Sequence, residues 1–212
     1  MTWKVVAITD THNRHEDLTL PDGDILIHAG DATNKGTHTE LLAFFEWFGN
    51  QPHAHKIFVA GNHDFRFIDD AGFTEALCRD NGITYLRDAF VVLEAEGKAN
   101  IKIYGAPVHP NFTIDEKDIQ DLTLEIPEEV DILVTHVPPY GIFDEVCDDF
   151  KIKYLGNYQL LGAIQLRKPK YHVFGHVHEG YGTKRLADTT FINACNCDRR
   201  GKIVNNPVVF EV

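Results

Sequence analysis

Short runs of consecutive apolar residues, rich in β-branched types, recur along this chain, and each runs out onto polar residues. Residues 5–8 lead to Asp10 and His12, and residues 25–28 to Asp31. Residues 57–60 lead to Asn62 and His63, residues 131–134 to His136, and residues 171–174 to His176 and His178. A run apolar at every position has no solvent face, so it reads as a strand covered on both sides. Helical spacing fills the gaps. Leu41, Phe44, Phe45 and Phe48 share one face of a helix over 39–49, opened by Thr37 and Glu40 at capping-box spacing. A second helix spans 73–80 and closes at Asn81-Gly82. A third spans 158–167, capped by Asn157 and stopped by Pro169. Further strands are expected at 83–86, 90–94, 101–104, 190–193 and 208–212, with a hairpin turn at 97–100. The alternation predicts α/β layering with helices over both outer faces. Residues 107–129 are acidic and loop-rich, with at most a short helix near 115–122, and suit a pocket wall or lid.

The chain has 212 residues, enough for one domain (1–212) with a real core. Its formal charge of -12 gains nothing from phosphate counterion release, which argues against duplex nucleic acid as a partner. A small phosphate compound remains compatible, because bound metal would supply the positive charge. Cys78, Cys147, Cys195 and Cys197 contain no C-x-x-C pair, and Cys195 and Cys197 are too close for an easy disulfide. With no signal-peptide pattern and no membrane-length apolar run, the expectation is a cytoplasmic protein with reduced thiols and no membrane partner. Of the twelve His, His15, His38, His53 and His55 are read as surface usage.

In open α/β sheets, ligands bind beyond the carboxyl ends of the strands. Asp10, His12, Asp31, Asn62, His63, His136, His176 and His178 all fall there. His176 and His178 flank one residue, so on an extended backbone their rings would point the same way. Mixed oxygen and imidazole ligation suits Mn, Fe, Zn or Co better than Ca or Mg. One Asp can bridge two metals, and two metals about 3.5–4 Å apart clamp a phosphoryl oxygen and hold a bridging hydroxide. Each short motif alone has a bland explanation in turns and loops. The ordered set at successive strand ends does not.

That set, Asp10-x-His12, Gly30-Asp31, Gly61-Asn62-His63-Asp64, His136 and Gly175-His176-x-His178, resembles the calcineurin-like metallophosphoesterase superfamily. Pro21-Asp22-Gly23-Asp24, Gly105-Ala106-Pro107 and Thr135-His136-Val137-Pro138-Pro139 are similar to its small metallophosphoesterase-domain-containing branch. The resemblance implies a four-layer αββα sandwich of two mixed β-sheets flanked by helices. It implies that Asp10, His12, Asp31 and His178 bind one divalent metal and Asp31, Asn62, His136 and His176 a second, with Mn foremost and Asp31 bridging. His63 would be catalytic, facing the substrate and protonating the leaving oxygen. Many superfamily phosphatases orient this His with an Asp three residues after the bridging Asp, where this chain has Asn34. An amide can hold a ring but does not favour imidazolium as a carboxylate does. Some animal members of the branch have Gly in place of His176, a change that weakens the second metal. The implied activity is hydrolysis of small phosphodiesters, with cyclic nucleotides among the candidates. The alternatives are a phosphomonoesterase on a nucleotide or phosphoprotein, and a nucleotide-binding scaffold with weak catalysis. Asn34, His63, Tyr181 and Asn196 are the expected substrate contacts, with His109 a weaker one.

Overall fold

The computed structural model describes residues 1–107, 126–148 and 151–212. In chain order the elements begin with β1 (Lys4–Ile8), β2 (Ile25–His28), α1 (His38–Gly49), β3 (His55–Phe58), α2 (Arg66–Asp69) and α3 (Ala71–Asp80). They continue with β4 (Thr84–Tyr85), β5 (Ala89–Leu93), β6 (Ile101–Ala106), β7 (Ile132–Thr135), β8 (Glu145–Asp148) and β9 (Lys151–Tyr154). The chain closes with α4 (Tyr158–Arg167), β10 (Tyr171–Phe174), β11 (Gly182–Leu186), β12 (Thr189–Asn193) and β13 (Val208–Glu211). One sheet has the order β13-β1-β2-β3-β4 and the other β11-β12-β10-β7-β6-β5. β1, β2, β3 and β4 run parallel, with β13 antiparallel at one edge. In the second sheet β6, β7, β10 and β12 run parallel, while β5 and β11 are antiparallel edges.

The period-2 alternation of strand side chains sorts each apolar run onto two faces. Val5, Ala7, Ile25, Ile27 and Ile57 of the first sheet pack against Ile103, Ile132, Val134, Val173 and Ile192 of the second. The intervening residues Val6, Ile8, Leu26 and Phe58 face outward onto Leu41, Phe44, Phe45 and Phe48 of α1 and Leu77 of α3. On the opposite side Tyr104, Leu133, Phe174 and Phe191 meet Leu160, Ala163 and Ile164 of α4. The result is helix, sheet, sheet, helix, as the resemblance implied. The four apolar side chains of α1 are fully buried, each worth roughly 1.5–3 kcal/mol of transfer free energy. Thr37 and Glu40 close the expected capping box, and Asn157 caps α4 through its side chain.

Several elements lacked a sequence signal. The β8–β9 hairpin and β11 carry little alternation, and every described residue of β9 is exposed. α2 spans only Arg66–Asp69, too short to show a period. The helix expected near 115–122 and the contact expected at His109 lie outside the described residues. Two of the four surface assignments for histidine are overturned. His15 lies edge-on to Phe44 and beside Trp47, and His53 bonds the Pro21 carbonyl at 3.1 Å; both are buried.

Two other histidines are core groups. His28 sits among Phe44, Phe48 and Phe58, and His172 between Phe174 and Phe191. The Thr135 hydroxyl donates to Val137 O at 2.8 Å, so it accepts from His172 Nε2–H at 2.8 Å. Burial pushes the His172 pKa from 6.5 down to about 3. Between those values the unfolded chain holds the extra proton, so stability falls as pH falls, by about 1.4 kcal/mol per pH unit for this group. The variant His172→Gln, which keeps a donor for Thr135, should lose one such proton from the slope of unfolding free energy against pH below 6.5. Urea unfolding at a series of pH values checks this, and an unchanged slope contradicts it.

Candidate metal centre

The carboxyl ends of β1, β2, β3, β7 and β10 bring eight polar side chains to one edge of the sandwich. The backbone breaks sharply there. Asp10, His12, Asn13, Asp31 and His176 all have positive φ, between 43° and 67°. Such a residue costs roughly 1–3 kcal/mol unless its surroundings hold it, and Asp, Asn and His are the types most often found there. Here the holding comes from hydrogen bonds between loops. Asp10 N–H donates to Gly30 O at 2.9 Å and His12 N–H to Asp31 O at 3.1 Å.

Asp10 is completely buried. Its Oδ2 accepts from the Thr9 hydroxyl at 2.8 Å and the Cys195 thiol at 2.9 Å, and the His176 N–H donates to it at 3.0 Å. Its Oδ1 lies 3.6 Å from His178 Nε2. The His178 ring stacks on His12, with centroids 5.2 Å apart. His12 Nδ1 is bonded to Thr33 O at 3.3 Å, which leaves Nε2 as the free nitrogen.

Asp31 sits at the centre. Its Oδ1 accepts the His63 N–H at 2.7 Å. Its Oδ2 lies 3.3 Å from His136 Nε2, 3.9 Å from His12 Nε2 and 4.0 Å from His63 Nε2. His136 Nδ1 is tied to Ala29 O at 2.9 Å, while Nε2 also meets Asn62 Oδ1 at 3.0 Å. The His176 ring is 5.2 Å from that of His136. His176 and His178 therefore do not act as a parallel pair. The left-handed turn at His176, φ 67°, sends one ring to Asp31 and His136 and the other to Asp10 and His12.

Two groups result, Asp10 with His12 and His178, and Asp31 with His136 and His176. Within each, all offered donor atoms lie within 4.8 Å of one another. Donors about 2.0–2.2 Å from a common cation lie roughly 3–4 Å apart. The 3.6 Å between Asp10 and His178 matches that spacing and is too long for a hydrogen bond. The chemistry of the donors also suits a cation. Burial opposes charge on Asp31, yet the adjacent His136 charge and hydrogen bond hold its carboxyl well below the usual range. Asp10 is lowered too: burial and the Asp31 charge oppose it, but His136, His178 and His12 together prevail. His136 is raised, since Asp31 overcomes the effect of its burial. Burial, helped by the His136 charge, pushes His176 down to about 4, so its lone pair is free at neutral pH. Two buried carboxylates face one imidazole held in its charged form, a balance that a divalent cation would complete.

Residues 4–180 match the model of the calcineurin-like phosphoesterase family. The chain belongs to that family. Family membership implies metal-dependent phosphoester hydrolysis, and the two donor groups are candidate positions for its divalent metals. The phosphoesterase is 35% identical to human metallophosphoesterase domain-containing protein 1 over 240 residues, covering 99% of this chain and 71% of that protein. It is 38% identical to a UPF0046 protein of Caenorhabditis elegans, covering 99% of this chain and 80% of the relative. The phosphopantetheinyl hydrolase of Mycobacterium tuberculosis shares the fold, with a TM-score of 0.65 at 16% identity over 93% of this chain and 90% of that one. No helix among the described residues is long and apolar enough to cross a membrane.

The remaining expected contacts of the phosphoesterase fare differently. His63 is 42% exposed at the rim, and its Nδ1 is held 2.7 Å from the backbone carbonyl of Asn34, not its side chain. The Asn34 amide donates instead to His12 O at 3.2 Å. Asn196 was expected at the substrate but is fully buried, with Oδ1 accepting from Thr9 N–H at 3.1 Å and Nδ2 donating to Asn205 O at 3.3 Å. The Tyr181 hydroxyl is engaged by Asn206 O at 3.1 Å.

Support residues went unassigned in the sequence. Cys195 was weighed only as a disulfide partner, and its thiol instead holds Asp10. Asp64 accepts from Gly61 N–H at 3.0 Å, Thr33 N–H at 3.1 Å and Thr33 Oγ1 at 2.9 Å, tying the loops after β2 and β3 together. Its burial, reinforced by the Asp31 charge, raises its carboxyl to about 6. The only hint of that role was its place in Gly61-Asn62-His63-Asp64.

Close approach sets the glycines here. A Cβ on Gly175 would collide with Asp10 Oδ2, and one on Gly30 would stand 2.6 Å from His136 Nδ1. Gly175→Ala should lower divalent-cation affinity by about tenfold or more, the scale of losing an orienting contact around a metal ligand, while the fold persists. Equilibrium dialysis with Mn²⁺ beside far-UV circular dichroism tests it; undiminished affinity contradicts it.

Proposed function

We propose that this chain is a two-metal phosphodiesterase acting on small diesters, cyclic nucleotides among them. The observation that carries the reading is the position of Asp31 Oδ2, between His136 of one donor group and His12 of the other. In this reading Asp10, His12, Asp31 and His178 hold one divalent ion. Asp31, Asn62, His136 and His176 hold the other, with Asp31 shared. Manganese suits this oxygen and imidazole mixture. Such ions, when bound, would neutralise charge at the phosphoryl group and supply a nucleophile at neutral pH.

The protein's own part is orientation and proton transfer. Asn62 directs its Oδ1 to the same side of His136 as Asp31. The Ala29 carbonyl fixes the His136 tautomer, and the Thr33 carbonyl fixes that of His12. His63 donates Nδ1–H to the Asn34 carbonyl, which leaves Nε2 at the rim; as imidazolium the ring would donate Nε2–H to the phosphoryl group and pass that proton to the leaving alkoxide, ending as the neutral Nδ1–H tautomer. Preference for diesters rests on the resemblance noted in the sequence.

Mn²⁺-loaded protein should hydrolyse bis(p-nitrophenyl) phosphate faster than p-nitrophenyl phosphate. His176→Gly and Asn62→Ala should each lose about hundredfold in rate together with metal content, the range seen when metal-site groups are removed. Absence of diester turnover by folded, metal-loaded protein would sink the reading, as would full activity in Asn62→Ala. His63→Ala should cost about 10²–10⁴-fold on a diester with a poor alkoxide leaving group and far less on the p-nitrophenyl ester, which needs little protonation. Equal losses on both would remove His63 from the role of acid.

A further inference from the structure

A second feature is built partly on the loop that carries Asp10 and His12 and is used by none of the chemistry above. A cleft of about 450 Å³ is lined by Arg14, Asp17, Arg200, Gly201, Lys202 and Ile203. Three cationic side chains there face one carboxylate, in a chain whose formal charge is -12. Among the described residues, none of these three head groups makes an ion pair. The neighbouring Arg199 shows the contrast, since Glu179 and the Cys147 carbonyl engage it.

Both walls are built features. One is the loop after β1, where Arg14 N–H donates to Thr11 O at 2.7 Å, two residues beyond His12. The other is a tight turn. Asp198 N–H donates to Lys202 O at 2.9 Å, and the Asp198 carboxylate accepts the backbone N–H groups of Arg200 at 2.8 Å and Lys202 at 3.0 Å. That carboxylate is held by the backbone of the turn, and the Arg200 and Lys202 charges also act on it without forming an ion pair. The turn is joined to the loop by the Cys197 thiol, which contacts Thr11 O at 3.6 Å, and by the bridge between Cys197 and Ile203. The backbone that carries these cations is therefore anchored to the same loop that carries Asp10 and His12.

Guanidinium groups bind phosphate through paired, charge-assisted hydrogen bonds, and lysine adds a point charge. We propose that this cleft receives a second phosphate of the substrate, whose scissile phosphoester lies at the metal centre. The substrate class is then a phosphoester that also carries a separate phosphate group. The proposal rests on the reading of the centre as the site of phosphoester binding.

The test uses Mn²⁺-loaded protein and equilibrium titration with α,ω-alkanediol bisphosphates of increasing chain length, each against the matching alkyl monophosphate. At one or more lengths the bisphosphate should bind about tenfold tighter, a difference of about 1.4 kcal/mol. In Arg14→Gln/Arg200→Gln that ratio should fall towards one. In the charge-matched control Lys184→Gln/Arg185→Gln, on exposed β11, it should persist. A ratio of one at every length in the parent protein, a ratio surviving the Arg14/Arg200 double change, or an equal loss in the control would overturn the cleft. Turnover is read separately. A bisphosphate preference without any diester hydrolysis would overturn the phosphodiesterase reading and leave the cleft standing.

Discussion

A carboxylate taken out of water must find positive charge or donors, and Asp31 is where this molecule meets that demand. It is nearly fully buried, at 2% exposure, and three imidazoles approach within 4.0 Å of one of its oxygens. Most of the local structure can be traced to supplying and holding those neighbours. The left-handed turns at Asp10, Asp31 and His176 bring the donor atoms of the two groups towards one another. The carbonyls of Ala29 and Thr33 fix which imidazole nitrogen is presented. The glycines at 30, 61 and 175 are bare because side-chain atoms of His136, Asp31 and Asp10 pass where a Cβ would sit. The core between the sheets is by contrast mainly aliphatic, and the layer under α1 is rich in Phe.

The strands that position the site were readable because they are buried on both faces. Residues 5–8, 25–28 and 171–174 are apolar at nearly every position, and they became β1, β2 and β10 with little change of boundary. The α1 helix was readable for the opposite reason, its Phe and Leu residues repeating on one face. The elements that escaped notice are exposed or short: β9 has no buried face, and β11 is exposed along four of its five residues. Burial patterns speak only for elements that are patterned by burial.

At the site the same distinction applies to chemistry. Residue types and order singled out eight polar groups, because metal-donor chemistry depends on side-chain identity, and six of them make up the two candidate donor groups. What the sequence could not convey was contact through backbone atoms. The Asn34 side chain was the natural suspect for orienting His63, but its carbonyl does the work, and any residue at 34 would offer the same acceptor. Asn196 illustrates the converse. A buried amide at a strand end can equally bind a substrate or bolt two segments together, and only the positions of Thr9 and Asn205 decide between these.

Each donor group draws on both sheets. Asp10 and His12 follow β1 while their partner His178 follows β10; Asp31 follows β2 while His136 and His176 follow β7 and β10. The centre thus works as a calliper across the sandwich, its jaws set by the Val, Ile and Ala layer between the sheets. A methyl group added or removed at Ile27 or Val173, with no contact to any ligand, changes the gap the jaws must span. Packing in the middle of the molecule is in that sense part of the coordination geometry, and drift in the core composition of such a chain is restrained by the site as well as by stability.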